Sequence, residues 1–93
     1  MMEIRVTEEA RKDLREIKKY ICDNNYNAAQ KVVSQIVKSI ERLEFTPNIG
    51  RHGRVLRTRE LVIPKYPYIV SYRVTDNEII IYRILHSSKK WEY

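Results

Sequence analysis

Two apolar lines of helical period follow one another with only a short polar break, and two β-prone runs come after them. Ala10, Leu14, Ile17 and Ile21 recur at spacings of 4, 3 and 4, which is one face of an amphipathic helix. Asn24 and Asn25 interrupt it. A second line follows through Ala29, Val32 or Val33, Ile36, Ile40 and Leu43, with Asn27 as a candidate cap. Helices joined by so short a break must turn back on each other as an antiparallel hairpin. Their apolar faces then need a common cover, and the remaining β-prone segments are what the chain has to supply it.

Those segments can be bounded from local signals. Met2 to Val6 is a short β-prone run. Thr7 then reads as an N-cap, followed by Glu8 and Glu9 where a helix dipole favours acids. Pro47 and Gly50 end the helical region. Glu60 to Ile63 is β-prone until Pro64 and Pro67 interrupt. Tyr68 to Val74 and Glu78 to Leu85 are rich in β-branched and aromatic residues, with Asp76–Asn77 suited to a two-residue hairpin loop. The expected fold is α+β with the order β-α-α-β-β-β: a largely antiparallel sheet carrying a helical hairpin on one face. It forms a single domain over residues 1–93, a length at which only about two-thirds of the unfolded surface is buried.

The Asp76–Asn77 loop also sorts side chains. It pairs Thr75 with Glu78, Arg73 with Ile80, Ser71 with Tyr82 and Ile69 with Ile84. Ile69, Ser71, Arg73, Ile80, Tyr82, Ile84 and His86 then share one face. Tyr68, Val70, Tyr72, Val74, Ile79, Ile81, Arg83 and Leu85 take the other, more apolar face, which is expected to meet the helices.

Several function classes are excluded or left without support. The single Cys22 forms no internal disulfide, and with two histidines it gives no zinc spacing, so no metal or cofactor is expected. With only Gly50 and Gly53 there is no glycine-rich phosphate loop. No apolar run approaches the ~20 residues of a membrane span, and no signal-peptide stretch opens the chain, so a cytoplasmic protein is expected. The net charge of +6 is unevenly distributed. Residues 1–44 hold nine Lys/Arg against eight Asp/Glu, and residues 45–93 hold nine against four. A one-sided field of this kind draws nucleic acid or an acidic protein segment, although a solubilising surface has the same composition.

Three groups of residues are candidates for binding or chemistry. Arg51, His52, Arg54, Arg57 and Arg59 crowd four guanidinium forks into nine residues with no acid among them, and such forks bind phosphate or carboxylate. Arg57 and Arg59, two apart, would share a strand face. Arg73, Tyr82 and His86 form the second group. If the protein cleaves RNA, His86 is the acid or base, Arg73 holds the phosphate and Tyr82 stacks a base. The third group is Lys89, Lys90 and Trp91 in the tail, where cations and an aromatic could meet phosphates and bases, or Trp91 could fold over the sheet.

The order and spacing of these segments resemble the RelE/ParE toxin family over essentially the whole chain. The matching stretches are Thr7-Glu-Glu-Ala-Arg-Lys-Asp-Leu14, Ile40-Glu-Arg-Leu43, Pro47-Asn-Ile-Gly-Arg51 and Thr58-Arg-Glu-Leu-Val62. Pro67-Tyr-Ile-Val-Ser-Tyr-Arg-Val74 and Ile84-Leu-His86, followed by Trp91, complete the set. The resemblance implies a toxin neutralised by a cognate antitoxin, often through an antitoxin segment that folds on binding. It leaves two molecular targets. ParE-like members inhibit DNA gyrase, whereas RelE-like members cleave mRNA on the ribosome without a metal. RelE-like chains commonly carry arginine where this chain has Ile69, and again where it has Ser87. Two missing phosphate contacts tilt the resemblance toward the ParE-like branch.

Overall fold

Both helices form where the apolar spacing puts them. The computed structural model describes residues 2–88. Strand β1 (Glu3–Val6) leads into helix α1 (Glu8–Cys22), and α2 (Tyr26–Arg42) follows. Thr7 caps α1 by accepting from the Ala10 N–H at 3.1 Å, with Glu8 and Glu9 in the first turn. Asn25, not Asn27, caps α2: its side chain accepts from the Ala28 N–H at 3.1 Å. The cap falls two residues earlier because α1 closes at Cys22 and the Asn24 and Asn25 amides are spent on the Ile21 carbonyl. Ala29, Val32, Ile36, Ile40 and Leu43 are the buried line of α2, so Val32 rather than Val33 faces inward.

Four further strands follow: β2 (Arg51–His52), β3 (Arg59–Val62), β4 (Tyr68–Val74) and β5 (Glu78–His86). The sheet order is β1-β5-β4-β3-β2. The α+β fold with a helical hairpin is as expected, with two additions. β2 is a two-residue strand paired to β3, and β1 lies parallel to β5. β1 takes the edge of β5 left over beyond β4, and the helical hairpin carries the chain from that edge across to β2 at the other. The core lies between the helices and one sheet face, built from Ala10, Val32, Ile36, Ile40 and Leu43 against Ile63, Tyr68, Val70, Tyr72, Ile79, Ile81 and Ile84.

The β4–β5 hairpin begins in the expected register and then departs from it. Thr75 and Glu78 close the turn, with the Thr75 N–H donating to the Glu78 carbonyl at 2.9 Å. Arg73 pairs with Ile80 and Tyr72 with Ile81. Beyond that point Ser71 pairs with Arg83, Val70 with Ile84, Ile69 with Leu85 and Tyr68 with His86. One extra residue of β5, Tyr82, therefore lies in a β-bulge, and every later side chain of β5 exchanges faces. Ile84 joins the core beside Val70, which the unshifted register assigned to the opposite face.

The bulge is held from outside the hairpin. β1 stops at Val6 opposite Ile81, leaving the β5 edge open just where the bulge occurs. Thr7 fills the first gap: its N–H donates to the Ile81 carbonyl at 3.1 Å and its hydroxyl donates to the Tyr82 carbonyl at 2.9 Å. Asp13, nearly two turns further into α1, fills the next. It accepts from the Ile84 N–H at 3.0 Å and from the Arg83 guanidinium at 2.7 and 3.0 Å. A helix cap and a helical carboxylate thus satisfy edge groups that a strand would otherwise pair.

Candidate ligand-binding face of the sheet

Of the arginines after α2, Arg51 and Arg59 have guanidinium groups held by described residues. Glu60, almost fully buried on β3, accepts from Arg51 Nε and Nη2 at 3.3 and 3.2 Å and from the Arg54 backbone N–H at 3.2 Å. Arg59 donates to the carbonyls of Asn48 and Gly50 at 3.1 and 2.8 Å. Arg57 is exposed but does not share a strand face with Arg59. It precedes β3 in a turn with φ of 67°, a left-handed conformation uncommon for a side-chain-bearing residue. His52 is exposed in β2, opposite Arg59. Within the expected arginine cluster, one buried carboxylate just past the arginine run orders the loop around it. Glu60 is visible in the sequence as the first acid after that run, and that was the available signal.

The turn before β2 is fixed from the core. The Tyr72 hydroxyl donates to the Pro47 carbonyl at 2.7 Å and accepts from the Gly50 N–H at 2.8 Å. Its burial raises the phenol pKa above the ordinary value, so the ring stays protonated and keeps both contacts. A Cβ at Gly50 would lie 2.6 Å from the Tyr72 hydroxyl oxygen and 3.0 Å from the Glu60 carbonyl. Gly50→Ala is therefore expected to lower the unfolding free energy by about 1–3 kcal/mol, read as a shift of the urea midpoint at unchanged slope. An unchanged midpoint would contradict this packing.

The expected Arg73–Tyr82–His86 group is divided by the bulge. Arg73, partner of Ile80, lies on the sheet face away from the helices, half-buried. His86 pairs with Tyr68, a core residue, and meets its ring edge-on with centroids 5.4 Å apart. His86 thus takes the helix-side face. Its Nδ1 accepts from the Ser88 N–H at 3.2 Å, which leaves Nε2 to carry the proton in the neutral ring. Tyr82 sits in the bulge itself, its carbonyl held by Thr7. Ile69 is buried, and Ser87 is exposed with its N–H donating to the Pro67 carbonyl at 2.7 Å. Lys89, Lys90 and Trp91 lie outside the described residues.

Each of the five strands carries one arginine, and four of the five are engaged. Arg5 meets Glu78 at 3.3 Å, Arg51 meets Glu60, Arg83 meets Asp13, and Arg59 is spent on carbonyls. The pairing with Asp13 raises the Arg83 pKa further above its ordinary value. Arg73 has no hydrogen bond or ion pair among the described residues. Two positions away on the same face, the Ser71 hydroxyl is fully buried and likewise lacks a partner among them. Ser71, Glu60 and Asp13 were not singled out as site residues from sequence, because their roles depend on register across strands far apart in the chain. No group of metal-ligating side chains and no membrane-spanning helix occurs among the described residues.

The model of the family described as ParE toxin of the type II toxin–antitoxin system parDE matches residues 4–91. The chain belongs to the ParE toxin family. A relative from Sinorhizobium fredii, Y4kP, is 38% identical over 88 residues, covering 95% of this chain and 91% of its own. Toxin RelE3 of Caulobacter vibrioides is 26% identical over 92 residues, covering 97% and 99%. Among solved structures, a chain of the chromosomal ParDE toxin–antitoxin system from P. aeruginosa superposes with a TM-score of 0.85 at 29% identity, covering 92% of this chain and 96% of that one. The conserved hypothetical protein HP0894 of Helicobacter pylori shares the fold, with a TM-score of 0.57 at 19% identity over 96% and 98% of the two chains. This ParE-family chain is thus a toxin of a type II toxin–antitoxin system, a family in which a cognate antitoxin is the partner.

Proposed function

We propose that this toxin poisons growth by binding a protein target of the DNA gyrase kind, and that an antitoxin neutralises it by covering the same molecule. The separation of His86 from Arg73 across the sheet carries this reading. RNA cleavage needs a proton-transfer group within about 2.6–3.2 Å of the reacting oxygen and a cation at the same phosphate. Here the one histidine of the sheet's last strand packs against Tyr68 on the helix side, while Arg73, without a partner among the described residues, lies on the other face. The two arginine positions of RelE-like chains are Ile69, which is buried, and Ser87, so neither supplies a phosphate contact.

Induced expression with parallel labelling of DNA, RNA and protein synthesis tests the proposal. DNA synthesis is expected to fail first, with supercoiling or cleavage defects, while translation continues. His86→Ala is expected to remain toxic. Early loss of mRNA together with a harmless His86→Ala variant would instead support the ribosome-dependent mRNA endonuclease and overturn this reading.

A further inference from the structure

We infer that the open edge of β1 is a self-pairing surface, on which a second copy of this chain docks antiparallel about a two-fold axis at Ile4. The inference concerns assembly and stands whichever target the toxin has. β1 lies at one end of the sheet order, with β5 as its only neighbouring strand among the described residues. The Glu3 N–H donates to the Asn77 carbonyl at 3.4 Å, and the Thr7 N–H donates to the Ile81 carbonyl at 3.1 Å. Backbone groups alternate in direction along a strand, so those of Glu3, Arg5 and Thr7 face β5. The N–H and C=O groups of Ile4 and Val6 therefore point outward, along an edge with no strand beyond it. Such a row of donors and acceptors is a template for another strand.

The side chains specify which strand. Met2, Glu3, Ile4, Arg5 and Val6 read apolar, acid, apolar, base, apolar, a pattern that is its own complement when reversed about Ile4. Antiparallel pairing on that centre joins the two Ile4 residues through both outward backbone groups, sets Met2 against Val6 and puts Glu3 opposite Arg5 on each side. The Glu3–Arg5 pairs then occupy the non-hydrogen-bonded positions, where side chains come closest. Centring on Glu3 or on Arg5 instead would oppose like charges, which fixes the register. The single chain leaves this pattern incomplete. Glu3 is exposed, has no ion pair among the described residues and stands in register beside a second acid, Glu78, while Arg5 is paired to Glu78 at 3.3 Å. Arg5 of a second copy supplies the missing base. Met2, Ile4 and Val6 are half-buried against the core, and pairing covers more of their remaining apolar surface. α1 leaves the approach clear. It starts beyond Val6 and runs along β5 toward Ile84, where Asp13 meets the backbone, so the two α1 helices depart from opposite ends of the paired strands. The local charges, from Glu3, Arg5 and Glu78, also let two chains of net charge +6 approach at this edge.

The test is analytical ultracentrifugation of the full chain at low salt, from about 10 µM to about 1 mM. So small an interface should be weak, and the mass is expected to rise from monomer to dimer with a Kd of about 100 µM. Glu3→Arg and Arg5→Glu each oppose like charges across the two-fold axis, and each is expected to weaken association about tenfold or more. An equimolar mixture of the two variants restores both unlike pairs and is expected to associate as the natural chain does. Amide exchange at Ile4 in the natural chain is expected to slow as concentration rises, while that at Arg5, already bonded to β5, stays constant. Both substitutions fall at exposed positions, and the exchange at Ile4 decides the matter even where a variant fails to fold. A natural chain that stays monomeric to about 1 mM overturns the proposal and leaves the edge to another occupant, such as an antitoxin strand. A dimer indifferent to both charge reversals, folded variants whose mixture does not associate, or a dimer with Ile4 unprotected overturns it equally.

Discussion

Tyr72→Ala is expected to remove about 3–5 kcal/mol of stability, the range for emptying a large buried aromatic site. Since domains of this kind are stable by only about 5–15 kcal/mol, such a loss is a large share of the total and should appear as a much lower urea midpoint. The ring is fully buried in the core, and its hydroxyl ties down Pro47 and Gly50 in the turn that leads to β2. Tyr72→Phe separates the two contributions. It keeps the ring but strands a buried N–H at Gly50 and the Pro47 carbonyl, and should cost about 1–3 kcal/mol by urea unfolding. Phenylalanine at full wild-type stability would show that the hydroxyl contacts contribute nothing. The pH dependence has a definite sign. Burial raises the phenol pKa in the folded state above 10.0, so this stabilisation is complete below that value and fades as pH rises through the folded pKa. Alkaline unfolding of Tyr72→Phe should therefore be shallower than that of the natural protein.

The second large effect is expected at Asp13. Asp13→Ala removes the acceptor of the Ile84 N–H and of two guanidinium contacts from Arg83. A lost buried acceptor with a charged partner would cost roughly 2–4 kcal/mol. The Arg83 side chain is 42% exposed and recovers water, which puts the expected loss at about 2 kcal/mol. The damage should also be local. Hydrogen exchange at Ile84 and at residues around the bulge should accelerate more than at Ile36 in α2. Arg83→Met should be milder than Asp13→Ala, because Asp13 keeps its backbone contact to Ile84. Uniform acceleration of exchange across the chain would show that Asp13 supports global packing and not the β5 edge.

The bulge connects these stability arguments to the choice of target. Shifting β5 by one residue turns His86 toward Tyr68 and leaves Arg73 alone on the opposite face. Without the shift the histidine, the tyrosine and the arginine would share one surface, and a ribonuclease reading would have the geometry it needs. The extra residue is stabilised by Thr7 and Asp13, so the start of α1 determines which groups can act together some seventy positions later in the chain.

Local spacing alone determined the two helices, their hairpin, Thr7 as a cap, the Asp76–Asn77 turn and most of the core. Each depends on residues a few positions apart, where periodicity and backbone preference act directly. Ala10, Ile36, Ile40 and Leu43 could be read from the chain before any contact was known, whereas only packing separates Val32 from Val33. Tertiary structure decided the rest. The parallel placement of β1, the bulge at Tyr82, the burial of Glu60 beneath Arg51, and the pairing of Asp13 with Arg83 join segments that no local pattern links. The excess of positive charge in the second half was legible, but its availability was not. Whether a guanidinium is free or already paired depends on distance and burial, and those exist only once the strands have found their register.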